Sequence, residues 1–397
     1  MSDPAIAELA SALAQREREG LARTRRRVEG PQGPRLRIDG RTLLAFASND
    51  YLGLASDPAL VDAVCDAARR WGIGSGASHL VVGHSAAHDA LERELAAFVA
   101  PCDGARALLF SSGYLANLAI LTALASRNDA IFADRLNHAC LNDGALLSRA
   151  SVDRYPHGDV AALADRIGAR SGTTGARRRF IVTDAVFSMD GDIAPLPALL
   201  DLALKHDAWL VVDDAHGFGV LGGGRGSLAH FGLRSERIVY MGTLGKAAGV
   251  AGAFVAAHPA VIETLIQGAR SYIYTTAAPP MTAEALRASL ALIADGEARR
   301  AHLAALVAAF RERTATLPWK LLPSQTPIQP LVIGSSRAAV AVSAALQQMG
   351  ICVPAIRPPT VPRDTARLRV SLSAAHQLSD VHELADALQL VASRVAG

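Results

Sequence analysis

The chain has 397 residues and a mass of 41.5 kDa, more than one ordinary core accommodates, so two or three domains are expected. Half of the residues are hydrophobic and 19% are charged, which excludes a disordered or fibrous chain. The 40 basic and 37 acidic residues leave a net charge of +3, too small and too dispersed to argue for nucleic acid or an anionic membrane.

The cellular setting is suggested by what the sequence lacks. Its four cysteines form no C-x-x-C pair, so we expect neither a disulfide framework nor a zinc site. The N-terminal residues do not have the basic start and apolar run of a secretory signal, and no stretch reaches the roughly 18 to 20 apolar residues of a membrane span. These features favour a cytoplasmic protein.

Residues 1–48 are predicted to form an N-terminal arm. Ile6 and Leu9 share one face of a predicted helix. The Gly- and Pro-rich residues 30–34 then break the pattern, and residues 36–40 resemble one arm of a hairpin.

Residues 49–288 are predicted to form a large α/β domain, because short apolar runs alternate there with longer helical stretches. This pattern predicts a mostly parallel central sheet with helices on both faces. The predicted strands are residues 107–110, 130–133, 180–183, 209–212, 238–241 and 252–255. Residues 289–397 are predicted to form a small α+β domain with strands near 328–333 and 368–372 and a closing helix from about Asp380.

Polar residues follow several of these strands, at the sheet edge where α/β proteins bind ligands. Gly113 and Tyr114 follow the first strand and open a helix, whose free N–H groups and dipole suit a phosphate. Such a turn also serves as a plain connector, so both interpretations stay open. His138 and Ser188 follow two further strands.

Asp213 ends a buried strand, where a carboxylate is costly unless a cation or a metal pairs with it. His216 follows three residues later, although an isolated pair of this kind is more often a helix-capping aspartate and a hydrogen-bonded histidine. Lys246 follows the next strand in a glycine-rich turn, where a flexible solvated lysine is out of place. The other two lysines of the chain, Lys205 and Lys320, are interpreted as surface residues.

Together these residues suit pyridoxal 5′-phosphate: a lysine to anchor its aldehyde, an aspartate for its ring nitrogen, and hydroxyls and a helix N-terminus for its phosphate. A dinucleotide site fits less well, because no G-x-G-x-x-G follows the first strand. The glycine cluster at residues 222–226 lacks that spacing, and no Walker A motif is present.

The chain resembles the α-oxoamine synthases, a family of fold type I pyridoxal-phosphate enzymes, from about Asn49 to His376. The strongest part of the resemblance is the motif DDAHG at 213–217 combined with TLGK at 243–246. The motif AIRPPTVP at 355–362 is most similar to the members that condense L-alanine with pimeloyl-CoA or pimeloyl-acyl carrier protein in biotin biosynthesis.

The resemblance implies a decarboxylative transfer of an acyl group from a thioester to an amino acid. It also implies a homodimer with active sites at the interface, and no metal, nucleic-acid or membrane partner. Glycine-using sister enzymes, which make aminoketobutyrate or aminolevulinate, are the alternative within the family. A catalytically silent scaffold on the same fold is the alternative outside it.

The resemblance further implies cofactor roles. Lys246 would hold the cofactor covalently, Asp213 would face the pyridine nitrogen, His216 would face the phenolic oxygen and His138 would stack on the ring. The other residues expected at the cofactor or its phosphate are Gly113, Tyr114, Ser188, Thr243 and, toward a neighbouring subunit, Thr275.

Substrate contacts are implied as well. Arg369 would hold the amino-acid carboxylate, although Arg367 shares its strand face and spacing permits either. Arg25 and Thr360 would contact the acyl substrate, while a solvated surface is the alternative for the arginine cluster around Arg25. His79 departs from the arginine common in the family, so a role for this position in substrate contact stays open.

Overall fold

The computed structural model describes residues 3–19, 21–171 and 177–395, so the outermost residues of the predicted arm and C-terminal domain lie outside the description. The helices of the described residues are α1 (Pro4–Arg18), α2 (Pro58–Trp71), α3 (Ala86–Val99), α4 (Gly113–Leu124), α5 (Ala139–Leu147), α6 (Val160–Ser171), α7 (Leu196–Lys205), α8 (Ser227–Phe231), α9 (Pro259–Gly268), α10 (Arg270–Ile273), α11 (Pro280–Ala294), α12 (Glu297–Thr314), α13 (Ser336–Gln348) and α14 (Leu378–Val395).

The strands are β1 (Arg35–Ile38), β2 (Arg41–Ala45), β3 (Arg106–Phe110), β4 (Ala130–Asp134), β5 (Ser151–Tyr155), β6 (Arg179–Asp184), β7 (Ala208–Asp213), β8 (Ile238–Thr243), β9 (Ala253–Ala257), β10 (Lys320–Leu321), β11 (Ile328–Gly334), β12 (Ile351–Cys352), β13 (Ala355–Ile356) and β14 (Ala366–Ser371). A short π-helical turn spans His79–Gly83, and a 3₁₀ turn spans Gly222–Gly224.

The central sheet has seven strands in the order β3-β9-β8-β7-β6-β4-β5. All neighbours are parallel except β9, which runs antiparallel to both β3 and β8. The predicted α/β fold with a mostly parallel sheet is therefore confirmed. Sequence analysis did not predict β5, because this edge strand is mostly exposed and its sequence, SVDRY, lacks the apolar run of a buried strand.

Helices cover both faces of the sheet. Alternate side chains of β4 enter different cores: Phe132 packs with the core that contains Leu91 of α3, and Ile131 packs with the core that contains Ile120 of α4. This division follows from the alternation of side chains along a strand. It leaves the carboxyl ends of the strands as the open edge of the sheet.

The N-terminal arm and the C-terminal segment are joined by a small sheet. The hairpin β1–β2 pairs through β2 with β12 in parallel, so strands from opposite ends of the chain share backbone hydrogen bonds. A second sheet, in the order β10-β11-β14-β13, belongs to the C-terminal segment. Helix α11 crosses position 288, and the division of the chain at 48/49 and 288/289 stays a prediction.

Across the described residues, none of the helices combines the length and the apolar character needed to span a bilayer.

Candidate active site

The polar residues of the candidate site converge because neighbouring parallel strands end together. Asp184 at the end of β6 pairs in register with Asp213 at the end of β7, and Asp213 pairs with Met241 of β8. The turn after β8 carries Lys246 into the space beyond these ends. Gly249 has a φ of +71° in this turn, and a Cβ there would lie 2.6 Å from the Ala55 nitrogen, so the turn packs directly on neighbouring backbone.

Lys246 lies beside the imidazole of His216, with 2.8 Å between its Nζ and His216 Nε2. Burial lowers the pKa of Lys246 to about 8, although Asp213 and Asp184 oppose the shift. Burial also lowers the pKa of His216 well below its usual value, and the positive charges of Lys246 and Arg369 add to this effect. His216 is therefore neutral near pH 7 and can accept a hydrogen bond from Lys246.

Tyr51 completes this arrangement on the other side of the imidazole. Its hydroxyl lies 2.7 Å from His216 Nδ1 and 3.2 Å from Asn49 Oδ1. If His216 accepts from Lys246 at Nε2, its proton lies on Nδ1 and is donated to the Tyr51 oxygen. Tyr51 was not predicted as a site residue, although it lies in the segment that begins the family resemblance.

Asp213 is buried and has polar but no cationic hydrogen-bond partners among the described residues. One carboxylate oxygen accepts from Asn117 Nδ2 at 2.6 Å and the other from the Ala215 N–H at 3.0 Å. The neighbouring Asp184 is also buried, and burial together with the charge of Asp213 raises its pKa well above the usual value. Two buried carboxylates at adjacent strand ends favour a positively charged group between them and the solvent.

His138 caps the N-terminus of α5, and its imidazole is joined to Asp213 through two intervening side chains. His138 Nδ1 lies 2.8 Å from Cys140 Sγ, which lies 3.1 Å from the same Asn117 amide nitrogen that donates to Asp213. Burial lowers the pKa of His138, and Lys246 lowers it further against the opposing effect of Asp213. Sequence analysis does not single out Cys140, because spacing alone does not show that its sulfur lies beside His138.

The N-terminus of α4 lies next to this cluster. Ser112 caps the helix by accepting from the Leu115 N–H at 3.3 Å, and the first N–H groups of a helix have no partner within it. A Cβ on Gly113 would lie 3.5 Å from Met241 Cε and 4.0 Å from Thr243 Oγ1, so this turn stands over the end of β8. Tyr114 is 43% exposed, and its hydroxyl donates a hydrogen bond to Asp143 Oδ2.

The structure separates the two candidate carboxylate-binding arginines, although both side chains are buried on β14. Arg367 forms an ion pair with Asp190 at 2.7 Å. Arg369 has no acidic partner within the described residues: it donates to the Ser188 carbonyl oxygen at 2.5 Å, to Ser371 Oγ at 2.7 Å and to Asn49 Oδ1 at 3.2 Å. Its charge also acts on Lys246 and His216.

The remaining predicted residues, Arg25, Thr360 and Thr275, lie on other segments of the chain. Arg25 is exposed in the extended segment that follows α1, and Thr360 is exposed in the loop after β13. These two chain segments line a common cavity of about 210 Å³ through Arg23 and Thr360. Thr275 follows α10, and no hydrogen bond joins Thr275 or Thr360 to Lys246 within the described residues.

Comparison with known proteins identifies the family. The family model for class I and II aminotransferases matches residues 41–388. The chain is 61% identical to 8-amino-7-oxononanoate synthase from Aromatoleum aromaticum, over 95% of this chain and 96% of that protein. It is 59% identical to 8-amino-7-oxononanoate synthase from Nitrosomonas europaea, over 97% and 98% respectively. The chain belongs to the class I and II aminotransferase family, in its α-oxoamine synthase branch.

Solved α-oxoamine synthases have the same fold. Serine palmitoyltransferase from S. paucimobilis superposes with a TM-score of 0.91 at 27% identity over the full length of both chains. 8-Amino-7-oxononanoate synthase from Francisella tularensis superposes with a TM-score of 0.76 at 32% identity over 89% of this chain and 98% of that one. The family resemblance predicted from the sequence is confirmed.

Pyridoxal phosphate is the cofactor of this family, and the side chains present here fit it. The buried Asp213 carboxylate lacks a cation that a protonated pyridine nitrogen would supply. Lys246 has a pKa of about 8, so part of its amine is neutral, and therefore nucleophilic, near neutral pH. The N-terminus of α4 suits the phosphate. These three features lie at or after the ends of three different strands, β7, β8 and β3, and meet only in the folded chain.

The pKa of Lys246 can be tested with the protein freed of cofactor. Reductive methylation labels neutral amines, so labelling of Lys246 should rise with pH to a midpoint at about 8. An ordinary lysine with a pKa near 10.4 becomes neutral only at higher pH. Peptide mass spectrometry would follow Lys246, with the exposed Lys205 and Lys320 as internal comparisons. A Lys246 profile parallel to theirs would contradict the prediction.

The link from Asn117 to Asp213 should contribute to cofactor binding. In Asn117→Leu the buried Asp213 loses a charge-assisted hydrogen bond, which is worth about 1.5 to 3 kcal/mol, so we expect cofactor affinity to fall about tenfold or more. Titration of cofactor-free protein with pyridoxal phosphate measures this. Thr122→Ala, at an exposed position on the same helix, is the matched control. An unchanged dissociation constant in a folded Asn117→Leu protein would exclude this role.

Proposed function

We infer that the protein catalyses the reaction of 8-amino-7-oxononanoate synthase: the decarboxylative condensation of L-alanine with a pimeloyl thioester to 8-amino-7-oxononanoate, a step of biotin biosynthesis. The observation that carries this inference is the buried Lys246 amine, held against neutral His216 beside Asp213 and Asp184. The near-full-length similarity to 8-amino-7-oxononanoate synthases selects this reaction within the family. The products are 8-amino-7-oxononanoate, carbon dioxide and the free thiol carrier.

Pyridoxal phosphate, when bound, supplies an electron sink for a carbanion at the amino-acid α-carbon. Lys246 would hold the cofactor through its aldehyde group, and its amine would also serve as the base for the α-proton of the amino acid. A pKa of about 8 suits this role, because a base that titrates near the working pH both accepts and returns a proton. Asp213 would keep the ring nitrogen protonated, and His138 would pack against the ring.

His216 is proposed to orient the ring through its phenolic oxygen. Its Nε2 atom faces Lys246 and its Nδ1 atom faces Tyr51, so the imidazole is held from both sides. Thr243, Ser188 and the N-terminus of α4, with Gly113 and Tyr114, are proposed to contact the cofactor or its phosphate. Thr243 already donates to the Gly252 carbonyl oxygen at 3.2 Å, which ties the end of β8 to the turn that carries Lys246.

Arg369 is proposed to bind the alanine carboxylate. Its guanidinium is buried without an acidic partner in the described part of the chain, whereas Asp190 neutralises Arg367. A buried, uncompensated cation close to Lys246 favours an anionic ligand. The ion pair between Arg367 and Asp190 therefore supports Arg369 as the carboxylate-binding residue, where spacing leaves both arginines open.

The acyl substrate is proposed to enter between the N-terminal arm and the loop after β13. Arg26 ties the arm to the C-terminal segment by donating to Gln347 Oε1 at 3.0 Å and to Cys352 Sγ at 3.2 Å. Arg25 lies in sequence between Arg26 and Arg23, and Arg23 lines a cavity together with Thr360. Arg25 would then be available for a carboxylate or phosphate of the pimeloyl thioester.

We propose a cytoplasmic homodimer. The π-helical turn exposes Val81 and Val82 by 72% and 80%, and the bridge between Ser78 and Thr276 brings this turn beside Tyr274, which is 71% exposed. Apolar surface of this kind favours coverage by another chain. A second copy would also place Thr275 near a neighbouring phosphate site. Light scattering of the purified protein tests the dimer.

Lys246→Ala should abolish turnover, because no other lysine lies in the site. Thioester-dependent release of the free thiol, measured with L-alanine and pimeloyl-CoA, should fall to background, and the visible absorbance of the lysine-bound cofactor should disappear. Lys320→Ala, at an exposed position, should keep both signals. Substantial turnover in Lys246→Ala would refute the assignment.

The same assay with glycine in place of L-alanine tests the substrate. One methyl group in a pocket is worth about 1 to 3 kcal/mol, so a preference of about 10- to 200-fold for alanine is expected. A preference for glycine would keep the catalytic machinery and move the reaction to a sister enzyme of the family.

The two arginines on β14 should differ in their effect on amino-acid binding. Arg369→Gln removes a charged partner of the carboxylate, worth about 1.5 to 3 kcal/mol, so KM for alanine should rise about 10- to 150-fold. KM for the thioester should change little. Arg367→Gln should leave KM for alanine within a few-fold, because that guanidinium is engaged by Asp190. The reverse ranking would assign the carboxylate to Arg367.

A further inference from the structure

Three histidines outside the candidate active site form a compact cluster. His79, His84 and His88 each offer a ring nitrogen, and the three nitrogens lie within 4.8 Å of one another. His79 and His88 are buried and His84 is exposed, so the cluster opens to solvent on one side. Nothing in the proposed reaction uses it.

Local backbone structure produces this grouping. The π-helical turn begins at His79, and the Gly83 N–H donates to the Ser78 carbonyl oxygen at 2.9 Å. A Cβ on Gly83 would lie 2.0 Å from the Ala77 carbonyl oxygen, so the turn closes only with glycine there. His84 then follows directly, and His88 lies one helical turn later on α3.

Burial favours the neutral form of all three imidazoles. Burial, together with the charges that His88 and His84 would carry, lowers the pKa of His79 to about 4. Burial likewise lowers the pKa of His84 and of His88. A neutral imidazole has one nitrogen lone pair available for a metal, whereas a protonated one has none.

His88 is oriented as metal-binding histidines are. Its Nε2 atom lies 2.7 Å from the Ala278 carbonyl oxygen, which fixes the proton on Nε2 and leaves the lone pair on Nδ1. That lone pair now accepts from the Ser85 N–H at 3.0 Å, a contact that a metal ion would replace. His79 Nδ1 and His84 Nδ1 lie 2.9 Å apart, so one ring donates a hydrogen bond to the other, and a metal ion bound to both would replace that hydrogen bond.

We propose that His79, His84 and His88 bind one divalent first-row transition-metal ion of the Zn²⁺ type. Imidazole nitrogen suits Zn²⁺, Cu²⁺ and Ni²⁺, whereas Mg²⁺ and Ca²⁺ prefer oxygen ligands. Tetrahedral Zn–N bonds of about 2.0 to 2.1 Å place the ligand nitrogens about 3.3 Å apart. The His79–His84 pair, now at 2.9 Å, would open slightly, and the exposed His84 side chain can move to allow this. Water would take the fourth position.

The bound ion would stabilise the segment around Thr275, residues 272–278. His88 is hydrogen-bonded to Ala278, and Ser75 Oγ donates to the same carbonyl oxygen at 2.5 Å. His79 stacks on Tyr272, with 5.0 Å between the ring centroids. The three ligands would therefore connect the turn and α3 to residues 272–278 from both sides.

Zinc titration of the chelator-treated, cofactor-loaded, full-length protein tests the proposal. Calorimetry with ZnCl₂ should show one ion per chain at this site, and zinc should raise Tm. His84→Ala should remove one zinc equivalent or weaken its binding about tenfold or more, and should abolish the gain in Tm. Because His84 is exposed, its replacement leaves the core unchanged.

His230→Ala, which removes an exposed histidine elsewhere, is the matched control and should bind zinc like the parent protein. MgCl₂ should have no effect. Two results would overturn the proposal: no zinc binding by the parent protein, or the same stoichiometry and affinity in His84→Ala, which would place the ion on other ligands such as Cys65. Both are independent of catalytic turnover.

Discussion

The requirement to compensate the buried carboxylate of Asp213 organises the site. Its oxygens accept from Asn117 and from backbone N–H, and a second buried carboxylate, Asp184, lies at the next strand end. Burial of this much negative charge is costly unless a cation is bound close by. Lys246 supplies part of that charge, and a protonated cofactor ring would supply the rest. The same carboxylates oppose the effect of burial on Lys246, so its pKa falls only to about 8. At that pKa the amine can both accept and release a proton near neutral pH.

The parallel sheet creates this concentration of charge. Strands that run in one direction end at one edge, so residues far apart in sequence, such as Asp184, Asp213 and Lys246, meet without needing long loops. Helices on both faces keep the strands dry, which strengthens every electrostatic effect at the edge. A short chain of contacts from Asp213 through Asn117 and Cys140 to His138 joins side chains that are proposed to contact different parts of the cofactor.

Most of the fold and the central residues of the site could be predicted from the sequence. Apolar runs identified six of the seven central strands, and only three lysines had to be considered for covalent chemistry. The sequence did not predict features that depend on contacts between side chains. Arg367 and Arg369 are equivalent by spacing, but Asp190 pairs with only one of them. Tyr51, Asn117 and Cys140 gave no distinctive pattern, because their roles depend on partners that lie between about 20 and 165 residues away.

The sequence by itself determined the α/β fold and the family, and it predicted Lys246, Asp213 and His216 as the centre of the candidate site, since hydrophobic patterning and short motifs are local properties of the chain. Only the tertiary structure decided which buried charges remain uncompensated, how His216 is held between Lys246 and Tyr51, and that three histidines in and after a π-helical turn face one another. The physical reason is that pKa values, ion pairs and hydrogen bonds depend on distance and burial, and folding sets both by bringing together remote parts of the chain.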